Sequence, residues 1–190
     1  MKVIGLTGNI GCGKSTVAGM LREEGVATID ADAVTREIRN NDADARAEIE
    51  ARFGSYEADE LARVVFSDAE ALADLERILH PRVRGAVRAR LAELDEGGIG
   101  TASVEAIKLL ESPLADACDE IWVVRCEEDD AIRRLAQSRG MDEDEARRRL
   151  ASQSGQEEKV AAADVVIDGS APIEETRRQV ELALATLRSA

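Results

Sequence analysis

Aromatic side chains are nearly missing from this chain: one Trp, one Tyr and two Phe in 190 residues, 2% of the total. A core must therefore be built from Val, Ile, Leu and Ala, which pack well between a sheet and the helices covering it. Hydrophobic residues still make up 44%, so the chain can form one compact domain with a real core. Long apolar runs are missing as well. No stretch approaches the roughly 20 apolar residues of a membrane span. The start M-K-V-I-G-L-T-G has no apolar block of signal-peptide length. These absences predict a cytoplasmic protein without a membrane partner. Positive charge is in deficit too, with 25 Lys and Arg against 39 Asp and Glu and a net charge of −14. That argues against a nucleic-acid partner, because binding along a phosphate backbone needs a basic field. The cations that are present gather at Arg133, Arg134, Arg139, Arg147, Arg148 and Arg149.

Cysteine and histidine are sparse. The three cysteines, Cys12, Cys118 and Cys126, have no metal-ligand spacing, and their odd number suits a reducing compartment. If 120–125 is a strand, Cys118 and Cys126 lie at its two ends, on the order of 25 Å apart and out of bonding range. Cys12 reads as a small loop residue, or as a thiol whose pKa a helix N-terminus would lower. His80 is the only histidine. Set before Pro81, it marks a break between two helices, where a cap or packing role competes with catalysis.

What is abundant is glycine in one place. Residues 8–15 read G-N-I-G-C-G-K-S, a full match to the phosphate-loop pattern G-x-x-x-x-G-K-[S/T]. They follow the apolar run 3–6 and precede a segment with Val17, Met20 and Leu21 at helical spacing. Gly8, Gly11 and Gly13 let the backbone curl so that successive N–H groups face one concavity at a helix N-terminus. Lys14 would reach the β- and γ-phosphates of a nucleotide, and the Ser15 hydroxyl would ligate Mg²⁺.

Short β-branched runs at 3–4, 26–29, 102–104, 121–124 and 165–167 alternate with helical patterns at 43–53, 69–79, 83–94, 129–137, 143–151 and 173–187. This predicts an α/β doubly wound domain on a parallel sheet. The nucleotide-binding core is expected over 1–31, 100–132 and 154–190. A helical insertion over 32–99 would hold the acceptor, and a charged helical excursion over 133–153 suits a mobile lid. Asp30 and Asp32 stand at the exit of the second strand, facing the ligand crevice of such a sheet. One of them can cap the following helix, and either can take a hydroxyl proton or help hold magnesium. Arg36, one turn after Asp32, can orient that carboxylate, contact an anionic substrate, or form an exposed ion pair.

Together these segments resemble the dephospho-coenzyme A kinase family nearly end to end. The resemblance rests on G-L-T-G-N-I-G-C-G-K-S-T at 5–16, I-D-A-D-A-V-T-R at 29–36, L-A-R-V-V-F at 61–66 and L-E-R-I-L-H-P-R-V at 75–83. It continues through R-L at 134–135, R-L-A-S-Q at 149–153 and E-K-V-A-A-A-D-V-V-I-D at 158–168. It implies a five-stranded parallel sheet of P-loop kinase type and transfer of the ATP γ-phosphoryl group to the ribose 3′-hydroxyl of dephospho-coenzyme A. ATP and Mg²⁺ would be required, in a monomer or small homo-oligomer. Asp32 matches the family's base, with Arg36 and His80 on the acceptor side. Cys12, Thr16, Arg139 and Arg149 join the loop glycines, Lys14 and Ser15 as ATP contacts. The chain departs from the family pattern at Ala58, at Ser138 where a lid arginine is usual, across 107–111, and at Gly169 in place of an asparagine.

Overall fold

The computed structural model describes residues 1–65 and 68–189, and of Arg139 the backbone alone. Phe66, the end of the L-A-R-V-V-F segment, lies outside the described residues. The chain divides into two compact units, Met1–Ile29 with Leu91–Ala190, and Asp30–Arg90.

The first unit carries the sheet. Strands β1 (Lys2–Gly8), β2 (Ala27–Asp30), β3 (Thr101–Glu105), β4 (Glu120–Arg125) and β5 (Val165–Asp168) are ordered β2-β3-β1-β4-β5. β1 pairs in parallel with β3 and β4, and β4 with β5. The expected five-stranded parallel sheet is therefore present. β1 is central, with six consecutive buried residues, as strands covered on both faces require. From β1 the chain first crosses to one side of the sheet and later to the other, so the switch point where such sheets bind ligands lies at the end of β1.

Helix α1 (Lys14–Glu23) buries Val17, Ala18, Met20 and Leu21. With Val180, Leu184 and Leu187 of α9 (Ile173–Ser189), they close a core over Ile4, Leu6, Trp122, Val124 and Ile167. Trp122, the single tryptophan, is fully buried, and its Nε1 donates to Glu120 at 2.8 Å. The charged excursion folds as α6 (Glu128–Arg139) and α7 (Glu143–Ala151). These two helices share a small core of Ile132, Leu135, Met141 and Ala146, and Ile10 of the glycine loop packs against it. Helix α8 (Gln156–Ala161) leads back to β5.

The second unit is helical: α2 (Ala31–Asn41), α3 (Ala43–Phe53), α4 (Ala58–Val65) and most of α5 (Ala69–Glu96). Ile49, Leu61 and Leu79 form its buried centre. Arg52 of α3 and Arg77 of α5 both bond Asp74, which holds that carboxyl below its usual range. The sequence reading of a break at Leu79-His80-Pro81 is corrected here. α5 runs unbroken through Pro81, because Leu79, Val83, Val87 and Leu91 form one buried stripe at four-residue spacing. The proline faces outward, and the Arg82 guanidinium donates to the carbonyl of Ile78 at 2.7 Å beside the weakened turn. His80 is an exposed mid-helix residue.

Candidate active site

The glycine loop follows β1 directly and ends in α1, whose N-cap is Gly13. Gly11 has φ +81°, and a Cβ there would come 2.7 Å from the carbonyl oxygen of Ala131 in α6. Only glycine suits both the left-handed backbone and this approach. Among the described residues, the N–H groups of Gly11, Gly13, Lys14 and Ser15 have no partner within the chain. Four unpaired donors at a helix N-terminus are an anion site in both geometry and sign.

Lys14 Nζ lies 2.6 Å from Oε1 of Glu105, with both side chains largely buried, and Ser15 Oγ is 3.5 Å from the same oxygen. Glu105 is the last residue of β3 and pairs in register with Leu6 of β1. The sequence reading did not select it. Its signal was available: a carboxylate one residue past the predicted strand 102–104, at the carboxyl edge that faces the crevice.

The arginines of α6 and α7 separate by partner. Arg134 reaches inward, donating to the carbonyl of Gly169 at 2.6 Å and to that of Gly11 at 3.4 Å. Arg149, expected among the ATP contacts, pairs with Glu145 one turn earlier on α7 at 2.7 Å, with its side chain half exposed. Arg147 pairs with Glu128 and Glu143, and Arg133 with Asp130. The side chain of Arg139 lies outside the described residues. Among the described side chains, Arg134 is thus the guanidinium that hydrogen-bonds the loop backbone. It lines a cleft of about 250 Å³ with Gly13, Thr16, Gly169, Ala171, Ile173 and Thr176. A Cβ at Gly169 would meet the carbonyl oxygen of Cys12 at 2.1 Å, so the usual asparagine could not stand on this backbone.

Cys12 and Cys126 form a disulfide with their Cα atoms 5.0 Å apart. This corrects the reading of Cys12 as a lone loop thiol and of the odd cysteine count as a sign of reduced thiols. The two lie 114 residues apart in sequence, but β1 and β4 are parallel neighbours with Gly8 opposite Val124. The residues that follow these strands therefore meet. Cys118 is the remaining free cysteine, and burial pushes its thiol up to about 11.

In the helical unit, the two aspartates divide. Asp30 is the N-cap of α2, its carboxylate accepting from Ala33 N at 2.8 Å. Asp32 occupies the first turn of the same helix. Arg36 Nη2 stands 3.7 Å from Asp30 Oδ2, with both side chains about half exposed. No helix among the described residues is long and apolar enough to cross a membrane.

A family model described as dephospho-CoA kinase matches residues 2–175. The dephospho-CoA kinase of Carboxydothermus hydrogenoformans is 38% identical over 95% of this chain and 91% of its own length. That of Corynebacterium efficiens is 40% identical over 97% and 96%. A crystal structure from Thermus thermophilus superposes with a TM-score of 0.86 at 31% identity, covering 98% of this chain and 97% of that one. The dephospho-CoA kinase of Campylobacter jejuni, 23% identical with a TM-score of 0.70 and 98% coverage of both chains, shares the fold. On sequence and architecture together, this chain belongs to the dephospho-CoA kinase family.

Proposed function

We propose that the chain transfers the γ-phosphoryl group of ATP to the ribose 3′-hydroxyl of dephospho-coenzyme A, giving coenzyme A and ADP. The observation that carries this reading is the set of four unpaired loop N–H groups beside Lys14 and Ser15, in a chain of this family. The N–H groups take the β- and γ-phosphate oxygens. Lys14 exchanges the Glu105 carboxylate for those oxygens, so its charge is held ready in the site without a long side-chain search. The cleft along Arg134, Thr16 and Thr176 receives the base, with the guanidinium plane as a stacking surface.

The residues present fit a magnesium ion. Ser15 Oγ and Glu105 Oε1 are hard oxygen donors 3.5 Å apart, and Mg²⁺ is commonly held by one or two such groups plus water and substrate phosphates. Ser15 and Glu105 would hold the ion, which would supply positive charge to offset the negative charge of the nucleotide phosphates. Asp32 accepts the proton of the 3′-hydroxyl as its oxygen bonds to the γ-phosphorus and the bond to the β-phosphate oxygen breaks. Asp30 caps α2, and Asp32, in the first turn of the same helix, is the carboxylate at the family's base position. Arg36 and His80 are exposed or half exposed and belong on the acceptor side.

The direct test is incubation with ATP, Mg²⁺ and dephospho-coenzyme A, followed by mass analysis. The acceptor should gain one phosphate, and chelation of magnesium should abolish the gain. A folded protein that binds ATP and phosphorylates nothing would sink the reading in favour of a non-catalytic nucleotide-binding module. Phosphate added only to another alcohol would favour a different small-metabolite kinase.

A further inference from the structure

Lysine is rare here: the chain has only Lys2, Lys14, Lys108 and Lys159, and arginine serves elsewhere. Lys159, in α8, is 2% exposed. Its Nζ donates to Asn9 Oδ1 at 2.9 Å and to the carbonyl of Ile107 at 3.0 Å. Asn9 is the second residue of the glycine loop. Ile107 lies two residues beyond β3, and its carbonyl also accepts from the Thr7 hydroxyl at 3.1 Å. One ammonium therefore ties together the exits of β1 and β3, the two strand ends that carry the loop and Glu105. Neighbouring residues grip the same region. Gln153 accepts from Ile10 N at 3.0 Å, and Gln156 exchanges two hydrogen bonds with the backbone of Cys126.

The charge on Lys159 is costly where it stands. Both bonded acceptors are neutral, and no carboxylate among the described residues lies within ion-pair distance. Burial lowers its pKa, the nearby Lys14 pushes the same way, and Glu111 opposes them. A neutral side chain of similar length would fill the space without this penalty. A buried cation beside an anion site, with the charge of Glu111 acting on it only from beyond ion-pair distance among the described residues, is completed by whatever anion arrives.

We propose that Lys159 is a positioning residue of the donor site, holding Asn9 and the start of the phosphate loop in register and receiving its counter-charge from the nucleotide polyphosphate. The inference rests on the reading of the loop as an ATP site and assigns it a second, buried cation. Equilibrium titrations with the non-hydrolysable β,γ-imido analogue of ATP and with AMP separate the two. Lys159→Met should weaken analogue binding by about 10- to 100-fold, the range typical of residues that support a site from behind. AMP affinity should be unchanged, whereas general loosening of the fold would lower both. Asn9→Ala keeps the charge and should show a smaller loss in the same direction, and adding it to Lys159→Met should cost little more. Wild-type protein that binds neither probe overturns the ATP site and this inference together. Wild-type binding with unchanged analogue affinity in Lys159→Met overturns the inference alone. If Lys159→Met does not fold, unchanged analogue affinity in Asn9→Ala overturns it equally.

Discussion

Asp30 and Asp32 stand two residues apart at the start of α2. Asp30 satisfies the Ala33 N–H, a bond that asparagine makes equally well at an N-cap. Asp30→Asn should therefore keep stability and activity close to wild type. Asp32→Asn removes the proposed proton acceptor but no phosphate contact. We expect kcat to fall by roughly 10²- to 10⁴-fold, the usual contribution of a positioned base, with KM for ATP nearly kept. Steady-state kinetics on both variants decides it: equal rates would mean that neither carboxylate takes the proton, and a reversed order would move the base to Asp30. Residues of this kind were legible because their meaning is local. Gly11, Lys14 and Ser15 form a contiguous pattern, and the Asp pair follows a predicted strand. Lys159 lies within the matched segment 158–168, but that pattern gave it no role, since a lysine in a short amphipathic helix ordinarily reads as solvated. Its distinction is tertiary, in the 150-residue separation from Asn9. Arg134 stood out no more than its neighbours in the arginine cluster until the fold turned it toward Gly11 and Gly169.

Among the elements, α5 shows where local rules mislead. A proline in sequence argues for a boundary, since it removes one i→i−4 bond and crowds the carbonyl four residues back. The buried stripe from Leu79 to Leu91 outweighs that loss and makes one 28-residue helix of the two segments predicted at 69–79 and 83–94. Pro81 itself faces solvent, so replacing it forfeits no packing. Pro81→Ala restores the N–H donor to the carbonyl of Arg77. The interior-helix penalty of about 3 kcal/mol is partly offset by the greater freedom the unfolded chain gains, about 0.4–1 kcal/mol. Relief of carbonyl crowding will be incomplete in a helix already adapted to the ring, so a net stabilisation of about 1–2 kcal/mol is expected. Urea unfolding of the full chain reads this as a higher midpoint at constant slope. A lower midpoint would show that the packing of the helical unit requires the proline at this position. The strands, by contrast, fell within a few residues of their predicted places, because short β-branched runs between helical periods have few alternative readings.

On the scale of the whole molecule, the pairing that sequence could not show is Cys12 with Cys126. Counting cysteines and measuring along one strand excluded Cys118 with Cys126. Only the adjacency of β1 and β4 in the sheet order brings position 12 to position 126. The bond closes a loop across 114 residues of sequence and ties the phosphate loop to the end of β4. In the chain-entropy account a loop of about 100 residues is worth up to about 4.7 kcal/mol, and measured disulfides more often contribute about 2–4 kcal/mol. Reduction should therefore lower the urea midpoint by an amount equivalent to about 2–4 kcal/mol, while the double variant Cys12→Ser, Cys126→Ser should start at the reduced midpoint and ignore reductant. Thiol counting checks the bond independently. Unfolded without reductant, the chain should take up one alkyl group, at Cys118, and after reduction three. Three groups without reductant would disprove the bond, and an intact bond whose reduction leaves the midpoint unmoved would show that the parallel strands alone hold the loop. In the folded state even Cys118 should react slowly. With its thiol pushed from 9.0 to about 11, it presents about a hundredfold less thiolate at pH 8 than an ordinary cysteine, so rapid labelling of native protein would point to Cys12 or Cys126 and to a reduced loop.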